Sequence, residues 1–236
     1  MIKLPAMLYK ALIALLLGTS LGLAGCASDP YADPRDPLEG FNRGMYSFNQ
    51  MMDRMLFTPA GEFYNIVTPA PVNRGVTNFF NNLKDIRSAI NNLLQLKVGR
   101  AFSDVGRVAV NSTIGVLGLV DVASNMDLPR YGEDFGQTLG VWGLGSGPYI
   151  VLPFFGPSTV RDGVGVVVDF FADPIYYIDD STVRWSLWGL EIVDTRADLL
   201  NASRVIDQAA LDPYAFIRDA YLQRREDQVH DGNPPE

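Results

Sequence analysis

From Asp36 to Val229 apolar side chains return at every third or fourth position, and that period dictates helices. The first run is the clearest. Leu38, Phe41, Met45, Phe48, Met52 and Met55 share one side of a helical wheel, with Glu39, Arg43, Asn49 and Asp53 among the other positions. Asp36-Pro37 is the expected start, an acidic N-cap followed by proline at the first helical position. Further helices are expected over 59–67, 70–83, 85–96, 98–115, 158–171, 181–201 and 213–229, the last opened by a second Asp-Pro pair at Asp212. No series of hairpins and no alternation of strands with helices is visible, so the body is expected to be all-α.

The side chains available close several routes to function. The 236 residues hold one Cys and one His. A His and Cys metal site takes about three or four ligands, so none is expected. The one imidazole, His230, opens a polar tail at 230–236, away from the packed setting that a Ser-His-Asp or Cys-His centre needs. With 19 basic against 27 acidic residues the net charge is −8, the wrong sign for holding nucleic-acid phosphates. Gly143, Gly145 and Gly147 do not complete a dinucleotide-binding spacing, and no phosphate loop is present, so no cofactor is expected. Acidic pairs such as Glu133-Asp134 and Asp179-Asp180 are the remaining candidates for acid–base chemistry. Adjacent residues on a helix point about 100° apart, and acidic pairs beside turns ordinarily cap helices or face solvent. The chain is not expected to be an enzyme.

Residues 1–25 read as an address. Lys3 and Lys10 precede an apolar stretch at 11–17, then small residues lead to Leu23-Ala24-Gly25-Cys26. A basic start, a short apolar middle and a small-residue cleavage site make a secretory signal peptide, and the apolar part is shorter than the ~20 residues of a membrane span. Leu-Ala-Gly-Cys resembles the lipobox of bacterial lipoproteins. That resemblance implies a thioether-linked lipid on Cys26, cleavage before it, and acylation of the new amino terminus by a fatty acid such as palmitate. Two or more acyl chains hold a protein firmly where one binds reversibly. Ala27 and Ser28 lack the aspartate that retains many lipoproteins at the inner membrane, which implies the outer membrane. Residues 26–35, with Pro30 and Pro34, read as a lipidated tether, and 36–229 as the helical domain.

Two features sit poorly in a water-soluble bundle. The middle of the chain is rich in glycine among large apolar residues, as in the run from Leu139 through Trp142 to Phe155 and Pro157. Several helices also carry Met and Phe on a broad face. For any single Phe or Met, burial in a core is the ordinary expectation. Beside a lipid anchor, helices lying in the interface plane with apolar faces in acyl chains are the alternative. No segment of the mature chain is long and apolar enough to span.

Asp36-Pro-Leu-Glu-Gly-Phe-Asn-Arg43, followed by Met45-Tyr-Ser-Phe-Asn49, resembles the signature of the MlaA (VacJ) family of outer-membrane lipoproteins. The blocks Asn111 to Ala123, Phe135 to Gly140, Gly147-Pro-Tyr149, Leu152-Pro-Phe-Phe-Gly156 and Asp212-Pro-Tyr214 agree with it in order. The resemblance implies amphipathic helices forming a ring-shaped monotopic membrane domain with a central channel. It also implies removal of misplaced phospholipid from the outer leaflet and its delivery to a periplasmic carrier protein, with the protein anchored in the inner leaflet beside a trimeric porin. A structural lipoprotein that scaffolds porins is the alternative. Phe41 and Phe48 on the signature helix, with Gly140, Trp142, Gly143, Gly145 and Gly147, are the candidates for lining or gating a lipid channel.

Overall fold

The computed structural model describes residues 33–234. The signal peptide expected over 1–25, the lipid-attachment residue Cys26 and most of the tether lie outside the described residues. The chain divides after Pro37. Within residues 33–37 the Asp36 amide donates to the Asp33 carbonyl at 2.9 Å, and Arg35 pairs with Asp33 at 2.7 Å.

From Leu38 onward the body is helical. Helix α1 spans Glu39–Met52, with Leu38 at its N-cap position and no side-chain cap. The helix start expected at Asp36-Pro37 is therefore corrected to Glu39, with Leu38 in the N-cap position. A π-helical turn, Asp53–Phe57, leads on without a break into α2, Thr58–Val67. Helix α3 runs Ala70–Leu94 and packs along α4, Val98–Thr113. The two helices expected over 70–83 and 85–96 are one, since neither Lys84 nor Asp85 is a breaker and Asp85 turns inward, 1% exposed. Past a 3₁₀ turn at Ala123–Met126 come a short α5, Phe135–Val141, and an antiparallel hairpin. Its strands are β1, Tyr149–Leu152, and β2, Gly156–Thr159, with Tyr149 opposite Thr159. Helices α6, Val160–Ala172, α7, Ser181–Ala209, and α8, Pro213–Val229, complete the body.

Local chemistry explains several boundaries. Asp180 accepts from the amides of Thr182 and Val183 and starts α7. That helix runs eight residues past its expected end because no glycine or proline follows until Pro213. Asp212 accepts from the amides of Tyr214 and Ala215, so the second Asp-Pro pair does start its helix. Helices α5 and α6 cross closely at two glycines: a Cβ on Gly165 would lie 2.5 Å from the Gly136 amide nitrogen. No described helix is long and apolar enough to cross a membrane.

The interior is polar and the exterior apolar. Among the described residues, fully buried polar and charged side chains outnumber fully buried hydrophobic ones. Arg107 is 1% exposed and spends every donor: Nε on Asp85 at 3.0 Å, Nη1 on Ser124 Oγ and the Leu128 carbonyl, Nη2 on both oxygens of Asp121. Arg130 adds a second cation to Asp85 at 2.8 Å. Further along, Arg225 of α8 grips Asp134 at 2.6 Å and Asp162 at 2.9 Å, tying α8 to α5 and α6. Asp104, fully buried, accepts from Ser88 at 2.7 Å and Asn92 at 2.8 Å, and among the described residues it makes no ion pair. Burial pushes its carboxyl above the usual range.

Phe80 is the one phenylalanine that is fully buried. Leu96, at the turn between α3 and α4, is 85% exposed and holds a positive φ of 60°. Leu93, Phe102 and Val105 flank it, exposed, and Phe170, Phe171, Tyr177 and Trp185 make a second exposed group. The ordinary expectation of core burial for Phe and Met is thus corrected. The helices put many polar side chains against one another, and among the described residues much of their apolar surface is left exposed. Apolar patches of this extent mark surfaces made for something other than water.

Candidate functional site

The signature helix is fastened to the hairpin by two asparagines. Asn42, fully buried, donates Nδ2 to the Tyr149 carbonyl at 3.1 Å and accepts from the Val151 amide at 2.9 Å. Two turns on, Asn49 donates to the Leu152 carbonyl at 2.9 Å and accepts from the Phe154 amide at 2.8 Å. Each amide side chain thus satisfies one backbone donor and one acceptor. Phe48 packs edge-on against Phe154, ring centres 5.5 Å apart. Arg43 joins the same helix to α8, lying 4.4 Å from the Tyr214 ring centre and pairing with Asp212 at 2.6 Å.

With α1 and the hairpin held together, a cleft of about 390 Å³ opens between α1, the π-helical turn, the β1–β2 turn and the later part of α7. Its wall mixes apolar side chains, among them Met52, Val151, Phe154, Phe155 and Leu199, with charged ones. Asp53 binds Arg196 bidentately at 2.6 and 2.7 Å and accepts from Thr58 Oγ1 at 2.9 Å. This pair clamps the π-helical turn to α7. Arg196 also donates to Ser203 at 2.9 Å, so its guanidinium is held in one orientation. Beside it, Tyr46 accepts from Gln50 at 2.8 Å, and burial is the largest cause raising its pKa.

The residues expected to line or gate a channel lie outside this cleft. Phe41 is 54% exposed on the outer face of α1, and Phe48 lies behind Phe154. Gly140 closes α5 in a tight contact, where a Cβ would lie 2.7 Å from Val229 and 2.8 Å from Arg161. Trp142 is exposed, donates Nε1 to the Leu94 carbonyl at 3.1 Å and stacks edge-on with Phe135. Gly143 and Gly147 hold positive φ of 92° and 66°, and Gly143 and Gly145 have open space where a Cβ would stand. None of these lines the cleft. The cleft instead takes Phe154, Phe155 and Gly156 from the hairpin turn, and Asp53, Arg54 and Arg196, which sequence reasoning passed over. A usable signal was the seven-residue spacing of Asn42 and Asn49, two short amides on one side of an amphipathic helix.

The acidic pairs have structural employment. Asp134 caps α5 at the Gln137 amide and pairs with Arg225, and Glu133 accepts from Gln95 at 3.0 Å. Burial alone would raise the Asp134 carboxyl, but the hydrogen bonds and charge of Arg225 outweigh it and hold it down to about 2. Asp180 is the α7 cap.

These observations define a class: a mainly helical body, polar within and apolar without, around an amphipathic cleft closed by a signature helix. Comparison with known proteins gives the class its family. The model of the MlaA lipoprotein family matches residues 34–228. The chain is 38% identical over 225 residues to the Escherichia coli intermembrane phospholipid transport system lipoprotein MlaA, covering 91% of this chain and 87% of that one. It is 35% identical over 231 residues to the Haemophilus influenzae protein of the same name, covering 94% and 92%. A solved structure described as the structural basis for maintenance of bacterial outer membrane lipid asymmetry aligns with a TM-score of 0.71 at 34% identity, covering 82% of this chain and 98% of that one. The chain belongs to the MlaA lipoprotein family.

Proposed function

We propose that this protein is an outer-membrane lipoprotein that takes phospholipid out of the outer leaflet and passes it to a periplasmic carrier, maintaining lipid asymmetry. The observation that carries the reading is the inverted distribution of side chains around the cleft. Exposed apolar faces on nearly every helix suit acyl chains as solvent. The cleft offers an acyl chain an apolar wall and a headgroup a charged one, which a conduit must do together. The curated relatives named as parts of an intermembrane phospholipid transport system support the same reading.

In this proposal Cys26 carries the lipid, residues 26–35 are the tether, and the helical domain lies in the inner leaflet of the outer membrane as a ring around its channel. A trimeric porin stands beside it. No covalent chemistry is assigned to the chain: Asp134 and Asp180 cap helices, and Asp134 and Glu133 are held by cations. The test is a purification of the full lipoprotein in mild detergent followed by extraction of whatever lipid accompanies it. Intact phospholipid is expected. Lyso-products would replace the conduit with an enzyme, and absence of lipid would favour a scaffold for porins. In cells, deletion is expected to accumulate phospholipid in the outer leaflet, and unaltered asymmetry would overturn the proposal.

A further inference from the structure

The cleft carries charges of both signs that the fold leaves unused. Among its lining residues Asp53 is consumed by Arg196 and Thr58, and Arg204 pairs with Glu62 at 2.7 Å. Arg54 and Asp207 also line it, both exposed. Among the described residues neither has an ion-pair or hydrogen-bond partner. They stand on different walls, Arg54 on the π-helical turn and Asp207 near the end of α7. After burial and the Gln50 hydrogen bond, the next influences on the Tyr46 hydroxyl are Asp207, which raises its pKa, and Arg54, which lowers it. Tyr46, Arg54 and Asp207 thus line one cleft, and among the described residues the two opposite charges do not pair. π-Helical turns are rare and concentrate at functional sites, and this one brings Asp53 and Arg54 together to the cleft with their roles divided: one clamps α7, the other is left open.

We propose that the cleft reads a zwitterionic phospholipid headgroup, with Arg54 on the phosphodiester and Asp207 on the ammonium of an ethanolamine, while the acyl chains lie along Val151, Phe154 and Leu199. This rests on the phospholipid-conduit reading and adds a substrate preference to it. A guanidinium fork matches phosphate oxygens, and a carboxylate accepts from an ammonium group in a charge-assisted hydrogen bond. A phosphatidylglycerol headgroup supplies the phosphate but no cation for Asp207, whose charge then opposes the phosphate's approach. The amphipathic wall alone makes no such distinction.

The test gives the full lipidated protein, in a neutral detergent, equimolar phosphatidylethanolamine and phosphatidylglycerol with the same acyl chains, and counts bound lipid by native mass spectrometry. The wild type is expected to enrich phosphatidylethanolamine by about threefold or more, the scale of one exposed charge contact. Asp207→Asn should bring that ratio to about one, since the discriminating contact is gone. Arg54→Gln should weaken binding of both lipids. Soluble glycerophosphoethanolamine at the same concentration should leave the lipid in place, and displacement of the lipid by it would overturn a lipid as the source of the headgroup. Equal binding of the two lipids by the wild type would overturn the headgroup proposal and leave the conduit standing. No bound phospholipid at all would overturn both. Both side chains are exposed and unpartnered, so the variants keep the fold, which circular dichroism checks, and the wild-type ratio decides the proposal independently of either.

Discussion

Arginine and aspartate meet in two settings in this molecule, and the settings ask different things of the same pair. Around Arg107 the guanidinium and Asp85 are sealed from water while Asp121 sits at the edge, all five donors are spent, and every partner lies within 22 positions of Arg107. At the cleft, Arg196 and Asp53 are 143 positions apart and partly exposed, with side-chain exposures of 16% and 23%. A sealed pair yields little net stability when intact but is costly to break, because removal of one partner strands the other. A partly wet pair costs less to lose, since water replaces the missing partner. The Arg107 knot is thus suited to fixing which helices meet, and the Arg196 clamp to setting the width of a site.

That contrast is most strongly tested by Arg107→Ala, which takes from buried Asp85 one of its two cations and from Asp121 the guanidinium that pairs with it. A loss of about 3–5 kcal/mol is expected, read as disappearance of folded protein from membranes, and a normally abundant variant would break the comparison.

Acid probes the Arg225 knot by the same logic. Asp134 is held down to about 2 by Arg225 in the fold, below its ordinary value, so its contribution is complete above about 4 and is lost as pH falls toward 2. On the order of 2 kcal/mol is expected to vanish over that window, visible as a falling melting temperature in detergent. Arg225→Met should flatten that slope, and an unchanged slope would detach the acid sensitivity from this knot.

At the cleft, Asp53→Ala is expected to cost about 1–2 kcal/mol and to impair lipid clearance in protein that still reaches the membrane at near-normal abundance. Stability loss as large as that of Arg107→Ala would erase the distinction between clamp and core.

The smallest effect sharpens the comparison from the opposite sign. Asp104 is a buried carboxylate with no ion pair among the described residues, and burial raises its pKa, so its charged form opposes folding as pH rises. Asp104→Asn should leave stability within about 1 kcal/mol of wild type at neutral pH or raise it slightly. Thermal melts at two pH values check this, and a loss on the Arg107 scale would show that the carboxylate is ionised and paired.

Sequence pattern carried most of the helices because the three- and four-residue period survives whichever way the apolar face points. It could not say which way. The stripe that runs from Phe41 on α1 to Met55 on the π-helical turn has the same spacing for a water-soluble core and for the exposed face that it forms, at 54% and 66% exposure. The hairpin and α5 were missed because glycine interrupts the period between Gly136 and Gly156. Site residues were harder still. Arg196 and Asp53 meet only after α7 folds back past the signature helix, and nothing local to either residue announces the other. Asp212 was legible because a cap acts within three residues of itself.

The two asparagine clips on the hairpin have a consequence for how this chain behaves among its neighbours. A two-stranded ribbon has open edges, and an open edge is a template on which another molecule's strand can grow. In hydrocarbon, where no water competes for the amides, that hazard sharpens. Asn42 occupies the Tyr149 and Val151 groups on the far edge of β1 from β2, and Asn49 holds the Leu152 carbonyl at the strand's end and the Phe154 amide beyond it. The helix thereby stands in for a third strand, and self-association by strand addition finds those positions already taken.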